Sequence, residues 1–483
     1  MPSKKEALVK NALIIAFGNA SVQLISFLLL PFYTSHLTTQ DFGVVDLITT
    51  YSLLLVPILT LEMGMAAFRF LIDAREDPKA KTRIITNVVQ LAGVILLVLV
   101  GFFFVVIQFV HIPYGGLALA SVATAVLPAL LMQFARGLDR IKAFAASSIV
   151  AGLITVSLNI ILIGPFNMGA RGMLIAGIAA NLVSSLYLFI TLRIHRYIDF
   201  RTGDNAMRRE LLKYSVPLIP NTISWWVINA ADRTIIAIFL GVASNGIYAI
   251  AYKFPTIFTT IFSYFGLSWA ESASVHINSK DRDTYFSEVM TASVKFFGSL
   301  TCVMIAFMPI VFPLLVDKAY SEAYQYIPIL IAASFFSATA ALYGAIYIAK
   351  KKTKDIAMTT IWAGVLNVVL SLVLIKFIGL YATAFAAAVA YLVLTVYRHH
   401  DSKKYVAITY EGNVLIQIAL FFIFTTAVYY YNALPVTIAG AVAAAGVAVF
   451  LNRSIVGIAK TKIFSKLKGL PPDAVIAEEE LNR

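Results

Sequence analysis

Fourteen long apolar stretches dominate the chain, centred in residues 11–34, 43–70, 84–110, 116–135, 144–164, 172–192, 214–240, 246–275, 286–316, 322–349, 355–375, 380–397, 413–432 and 435–452. Each is close to the roughly 20 residues that a helix needs to cross a bilayer. A segment in lipid must satisfy its own backbone polar groups, which leaves helices or a closed barrel. These runs are continuously apolar rather than alternating, so they predict helices. Composition agrees: 60% of residues are hydrophobic and 13% charged, against about 45–50% and about 25% in soluble domains. The expectation is an all-α polytopic membrane protein with about 14 transmembrane helices.

The net charge of +13 would suit nucleic acid if it were clustered on a soluble face. Instead, all but six of the 38 Lys and Arg fall in alternate loops and at the two ends of the chain. Arg171, Lys318 and Lys376 lie on the opposite side, and Arg233, Lys253 and Lys295 lie inside apolar segments. That asymmetry is the positive-inside pattern, which places both termini in the cytoplasm. The charge therefore reports topology and contact with anionic membrane lipids, and no nucleic-acid partner is expected. The opening MPSKKEALVKN runs into the first apolar stretch without a small-residue cleavage site, predicting a retained first helix. A lone Cys302 excludes a disulfide framework.

The external connections are short, as in SHLTTQDF and GVASN, and leave no room for a catalytic domain. The sequence holds no HExxH, no Walker A motif, no Cys/His cluster and no Ser/His/Asp grouping. A non-enzymatic transporter is expected, with no cofactor.

Transporters are often built from internal repeats, and the halves of this chain align. At an offset of 203 residues, HLTTQDFGVV (36–45) falls on FLGVASNGIY (239–248), matching Leu37 with Leu240 and Gly43 with Gly246. At an offset of 212, AGLITVSLNIILI (151–163) falls on AGVLNVVLSLVLI (363–375). Both alignments keep topology, so the repeats are parallel. The predicted organisation is a six-helix bundle over 1–192, a charged cytoplasmic linker over 193–212 and a second six-helix bundle over 213–398. Two further helices over 399–452 and a cytoplasmic tail over 453–483 complete it.

In the seventh segment, Thr222, Trp226, Asn229 and Arg233 share one helix face. Their counterparts in the first segment are Asn19, Gln23, Ser26 and Leu30. Lys253, Thr256, Thr260 and Ser263 form a similar stripe in the eighth. Such faces are expected to line a cavity between the two halves, because lipid would not tolerate them. At 1.5 Å per residue, Asp232, Arg233 and Lys253 lie roughly 10 Å from the outer surface, and Lys295 lies roughly 14 Å from the inner one. Glu62, Glu271 and Arg69 emerge near the inner interface as gate or interface charges. Adjacent helical residues point about 100° apart, so Asp232 and Arg233 have different partners. For Asp232 two readings stay open: an ion pair with Lys253, or a group that binds a coupling ion.

The stretch DRTIIAIFLGVASNGIYAIAYK (232–253) adds a local pattern: an Asp-Arg pair, an apolar run ending in Gly, then Gly-apolar-Tyr opening the next helix. Asp232, Arg233, Gly241, Gly246 and Tyr248 carry it. With the 6 + 6 + 2 architecture, it resembles the Wzx-type polysaccharide flippases of the multidrug/oligosaccharidyl-lipid/polysaccharide exporter superfamily. The resemblance implies a flippase that moves an undecaprenyl-diphosphate-linked oligosaccharide to the outer leaflet of a bacterial cytoplasmic membrane by alternating access. It would work as a monomer and hand its product to a glycan polymerase and chain-length machinery. On this reading Arg233, Lys253, Lys295 and Asn229 receive the anionic head, since an unpaired diphosphate in hydrocarbon is prohibitive. Asp232, Glu62, Glu271 and Arg69 gate or couple transport to H⁺, Na⁺ or the membrane potential. The competing expectations are a drug/cation antiporter of the same superfamily, a peptidoglycan lipid-precursor flippase and, from another class, a membrane-embedded glycan polymerase. Three intramembrane cations set against Asp232 favour an anionic cargo over a cationic drug.

Overall fold

The computed structural model describes residues 27–106, 114–199, 203–453 and 456–457, apart from the side chains of Phe104, Ser224, Trp225, Val227, Ile228 and Asn229. The described residues form helices and no strands. In chain order these are α1 (Leu30–His36), α2 (Thr39–Leu59), α3 (Met63–Asp73), α4 (Pro78–Val106), α5 (Gly115–Gly137), α6 (Ile141–Ile163), α7 (Gly169–Thr191) and α8 (Asn205–Ser215). They continue as α9 (Ile219–Phe239), α10 (Val242–His276), α11 (Arg282–Leu315), α12 (Ile327–Ala349), α13 (Thr353–Ile378), α14 (Tyr381–Ser402), α15 (Val414–Tyr431) and α16 (Leu434–Leu451).

Eleven of the described helical stretches are long and apolar enough to cross a membrane. Helices α9 and α10 are not among them, because the polar and charged residues of their stripes dilute the apolar runs. Side chains confirm the solvent. Leu97, Phe102, Phe377 and Phe450 are exposed, whereas Asn87, Asn159, Ser371 and Arg398 are buried. An apolar exterior over a partly polar interior is what lipid demands. The chain is a multi-pass helical membrane protein.

The predicted second span is two helices. Helix α2 ends at Leu59, and Leu61 and Glu62 take left-handed conformations (φ 50° and 54°) before α3 begins. That region costs a side-chain-bearing residue energy, but the turn satisfies its own backbone through Leu61 N–H to Ile58 O and Glu62 N–H to Pro57 O. The corresponding helix of the second repeat, α10, is continuous over 35 residues.

The chain packs as two compact units that do not follow the repeat boundaries. The first comprises residues 1–253, 315–324 and 364–386, and the second 254–314, 325–363 and 387–483. In the first, a core of Met63, Leu71, Ile85, Leu130, Phe134 and Leu188 joins α3, α4, α5 and α7. Small residues let helices approach closely; Gly172 of α7, for example, packs against Leu162 of α6.

The inter-repeat linker is part of this first unit and is partly helical. Met207 and Leu211 of α8 are buried in its core. Asp204 caps α8, pairs with Arg83 and donates its backbone N–H to Asn87 Oδ1. The linker is thus tied to the start of α4.

In the second unit, Trp269, Phe286, Met290, Tyr343 and Ile346 form a core beneath the 403–412 connection. Arg398, 4% exposed, donates to the Ala340 and Ile356 carbonyls and to the Thr359 and Thr360 hydroxyls. It fastens α12, α13 and α14 through neutral acceptors alone.

Candidate functional site

Within the first unit the two repeats meet at the α1–α2 and α9–α10 connections, and the contact is reciprocal. A β-carbon on Gly43 would overlap the Val242 carbonyl oxygen, and one on Gly246 would overlap the Thr39 carbonyl oxygen. Thr39 and Val242 differ by 203 residues, as do Gly43 and Gly246. The sequence offset is therefore a pseudo-two-fold axis, and the residues it equates touch each other across it in the manner of an isologous interface. Only glycine admits this backbone approach.

Charge gathers immediately beside the crossing. Asp46, one turn beyond Gly43 on α2, accepts from Arg233 Nε at 3.0 Å and from Asn245 Nδ2 at 3.2 Å. Asn245 Nδ2 also reaches the Gly43 carbonyl at 3.2 Å. Arg233 lies over the Tyr252 ring, 4.8 Å from its centroid. Lys253 is within electrostatic range of Asp46 and Arg233 but makes no ion pair among the described residues. Arg233, Lys253 and Asp46 thus form one layer with two cations and one anion.

Asp232 faces the other way. It is buried, accepts from Asn367 Nδ2 of α13 at 3.1 Å and from the Tyr248 hydroxyl of α10 at 3.3 Å, and does not pair with Lys253. The 100° between adjacent helical positions separates the two charges as expected, but the partner on α10 is Tyr248, five residues before Lys253. One turn beyond Asn367, the Ser371 hydroxyl is buried without a hydrogen-bond partner, as is Asn367 Oδ1.

The polar stripe of α9 is closed against the second span rather than open to a cavity. The Thr222 hydroxyl donates to Glu62 at 2.5 Å, Trp226 Nε1 donates to the Thr50 carbonyl at 2.9 Å, and Thr234 bonds Tyr51 at 3.0 Å. Glu62, predicted as a gate charge, sits at the α2–α3 break and takes the end of this seam. The stripe is polar because it meets the other repeat's backbone and side chains, and the first-segment members Asn19, Gln23 and Ser26 lie outside the described residues, as does the Asn229 side chain.

The remaining predicted residues lie elsewhere. Lys295, on α11 in the second unit, is 3.5 Å from Glu411 of the α14–α15 connection. Glu271 is exposed on the distal half of α10. Arg69 is exposed and pairs with Asp73 one turn away, an arrangement that contributes little to stability. Sequence reasoning missed Asp46, although a carboxylate within an apolar segment is itself a signal. It also missed Asn367, which was visible in AGVLNVVLSLVLI only as part of a repeat.

Comparison with known proteins follows this geometry. In fold, the chain is similar to the lipid II flippase MurJ in an inward closed conformation, with a TM-score of 0.70 at 13% identity over 93% of this chain and 100% of that one. It is also similar to an inward-facing multidrug resistance MATE family transporter of the MOP superfamily, with a TM-score of 0.64 at 13% identity over 80% and 98%. No curated protein matches its sequence. The family model described as polysaccharide biosynthesis protein matches residues 8–259 and 233–399. With two parallel repeats crossing at paired glycines and a fold shared with MOP-superfamily transporters, this chain belongs to the polysaccharide biosynthesis protein family.

Proposed function

We propose that the chain is a flippase that carries an undecaprenyl-diphosphate-linked oligosaccharide from the inner to the outer leaflet of the bacterial cytoplasmic membrane. The family match across both repeats is the observation that carries this reading. The Asp46–Arg233–Lys253 layer supports it chemically. While Arg233 is held by Asp46, one of the layer's two cations is neutralised; parting the Gly43–Gly246 crossing frees Arg233 to join Lys253 in receiving a diphosphate. Pre-placed cations that replace lost hydration are what such a head requires. Asn229 contributes on the same helix, Lys295 receives the head when the carrier opens inward, and Glu62 holds the seam at its inner end.

Asp232 couples this movement to a cation, H⁺ or Na⁺. Its carboxylate is buried against Asn367, whose Oδ1 has no partner, which suits a small hard ion or a proton. The flipped product is delivered to a polymerase in the outer leaflet, and the carrier acts as a monomer.

The test is the sidedness of the lipid-linked glycan in cells lacking the chain, read with a membrane-impermeant glycosidase on spheroplasts. The expected result is a glycan that accumulates out of the enzyme's reach, restored by the intact chain. Normal surface glycan accompanied by lost drug efflux would replace this reading with an antiporter, and arrested peptidoglycan synthesis would replace it with a lipid-precursor flippase.

A further inference from the structure

Helix α8 lies in the linker between the repeats, on the basic side of the chain, and its outer face is unlike its inner one. Met207, Leu211 and Ser215 are buried, whereas Arg209, Lys213 and Tyr214 are exposed. An open groove of about 660 Å³ runs along it, where Arg208, Arg209 and Lys213 are interleaved with the apolar Leu212, Val216 and Pro217 beside Asn205. No carboxylate lines it.

The cations are positioned rather than scattered. Arg208 is held by three neutral amides: Nε on Asn87 Oδ1 (3.1 Å), Nη1 on Asn205 Oδ1 (3.3 Å) and Nη2 on Gln90 Oε1 (2.5 Å). Its charge is therefore fixed in place without an acid to cancel it. This anchor, with the Asp204–Arg83 pair, sets the rotation of α8. Arg209 and Lys213, four residues apart, consequently share one face. Neither makes an ion pair or side-chain hydrogen bond among the described residues.

We propose that this groove binds an anionic membrane phospholipid. Its phosphate sits between Arg209 and Lys213, and its glycerol and acyl ester region lies along Leu212, Val216 and Pro217. A free phosphate would leave those apolar residues unused. An amphipathic helix with cations beside an apolar edge suits the headgroup boundary, and the inner leaflet supplies anionic lipid. The lipid lies against the one connection that joins the repeats. This binding is separate from transport and stands whatever the cargo is.

The experiment uses the purified full-length chain in detergent, with lipid retention measured by native mass spectrometry. The probes are chain-matched phosphatidylglycerol and phosphatidylcholine. The parent retains phosphatidylglycerol in preference, and Arg209→Gln/Lys213→Gln lowers that retention roughly 30-fold, at about fivefold per cation. The Arg209→Lys/Lys213→Arg variant retains it, and Lys350→Gln/Lys351→Gln, on another basic loop, leaves it unchanged. Equal retention of both lipids, undiminished retention in the glutamine variant, or an equal loss in the Lys350/Lys351 variant would overturn the assignment. Displacement by farnesyl diphosphate at lower concentration than by phosphatidylglycerol would also overturn it, assigning the groove to the carrier lipid instead.

Discussion

The first and the fifth segment of each repeat are joined by a buried polar contact, and the two contacts differ in chemistry. In the first repeat, Asn159 of α6 donates to the Tyr33 hydroxyl of α1 at 2.7 Å. In the second, Asn367 of α13 donates to Asp232 of α9 at 3.1 Å. The repeat offsets place Ile236 and Ser371 at the positions of Tyr33 and Asn159, and Leu29 and Thr155 at those of Asp232 and Asn367. The second contact therefore uses the adjacent turn of the same helix pair. This also accounts for the unpartnered Ser371 hydroxyl: the position that would answer it is Ile236. A neutral Tyr–Asn bond is enough to fasten these helices. The carboxylate in the second repeat is thus not required by the packing, which supports the coupling role proposed for it.

The largest effect follows from removing that carboxylate. Asp232→Asn keeps the shape of the side chain but removes its charge and one of its two acceptor oxygens, so surface glycan should fall to background while the protein inserts at its usual level. Flippase activity in cells, scored beside membrane abundance, checks both halves.

Next is the Asp46–Arg233 pair, which the first repeat cannot mirror because Leu30 stands at the position of Arg233. Arg233→Ala leaves Asp46 partly buried with only Asn245, and breaking a buried pair costs about 3 kcal/mol or somewhat more. Crosslinking between cysteines placed at residues 39 and 242 should drop accordingly. The charge-swapped variant Asp46→Arg/Arg233→Asp should recover part of the closure and none of the transport, since it moves the cation to the wrong helix.

The glycine crossing has a symmetry that can be broken. Gly43→Ala and Gly246→Ala each place a methyl on the other repeat's carbonyl, so each should weaken closure by about 1–3 kcal/mol, and by similar amounts. Unequal effects in the same crosslinking assay would show that the crossing is less symmetric than its geometry.

The smallest effect is expected in the first repeat. Tyr33→Phe removes one interhelical hydrogen bond within the membrane, worth about 0.6 kcal/mol. Thermal unfolding in detergent should shift slightly, and export should remain near normal.

These contrasts separate what a single sequence carries from what it cannot. Segment length and hydropathy specify the helical spans, and the 203-residue offset anticipated that Gly43 and Gly246 are equivalent. Nothing in the offset says that the two touch, because contact depends on where the symmetry axis falls. The break at Leu61–Glu62 was only partly legible: Pro57 and Glu62 interrupt the run 43–70, but no Pro or Gly occupies the turn itself. The linker reads as charged, which hid the apolar side of α8 contributed by Met207 and Leu211. For the site, the intramembrane charges Asp232, Arg233 and Lys253 stood out, but their partners did not. Asp46 is 187 residues from Arg233, and Asn367 is 135 from Asp232; periodicity reaches only a few turns.

The most direct measurement exchanges the chemistry of the two contacts. A variant carrying Asp232→Leu, Ile236→Tyr, Asn367→Thr and Ser371→Asn gives the second repeat the neutral contact of the first. Thermal unfolding and ion-dependent flipping would be measured on the same reconstituted preparation. The account predicts a protein about as stable as the parent that moves no lipid-linked glycan and shows no response to an imposed H⁺ or Na⁺ gradient. Gradient-driven flipping by this variant would contradict it.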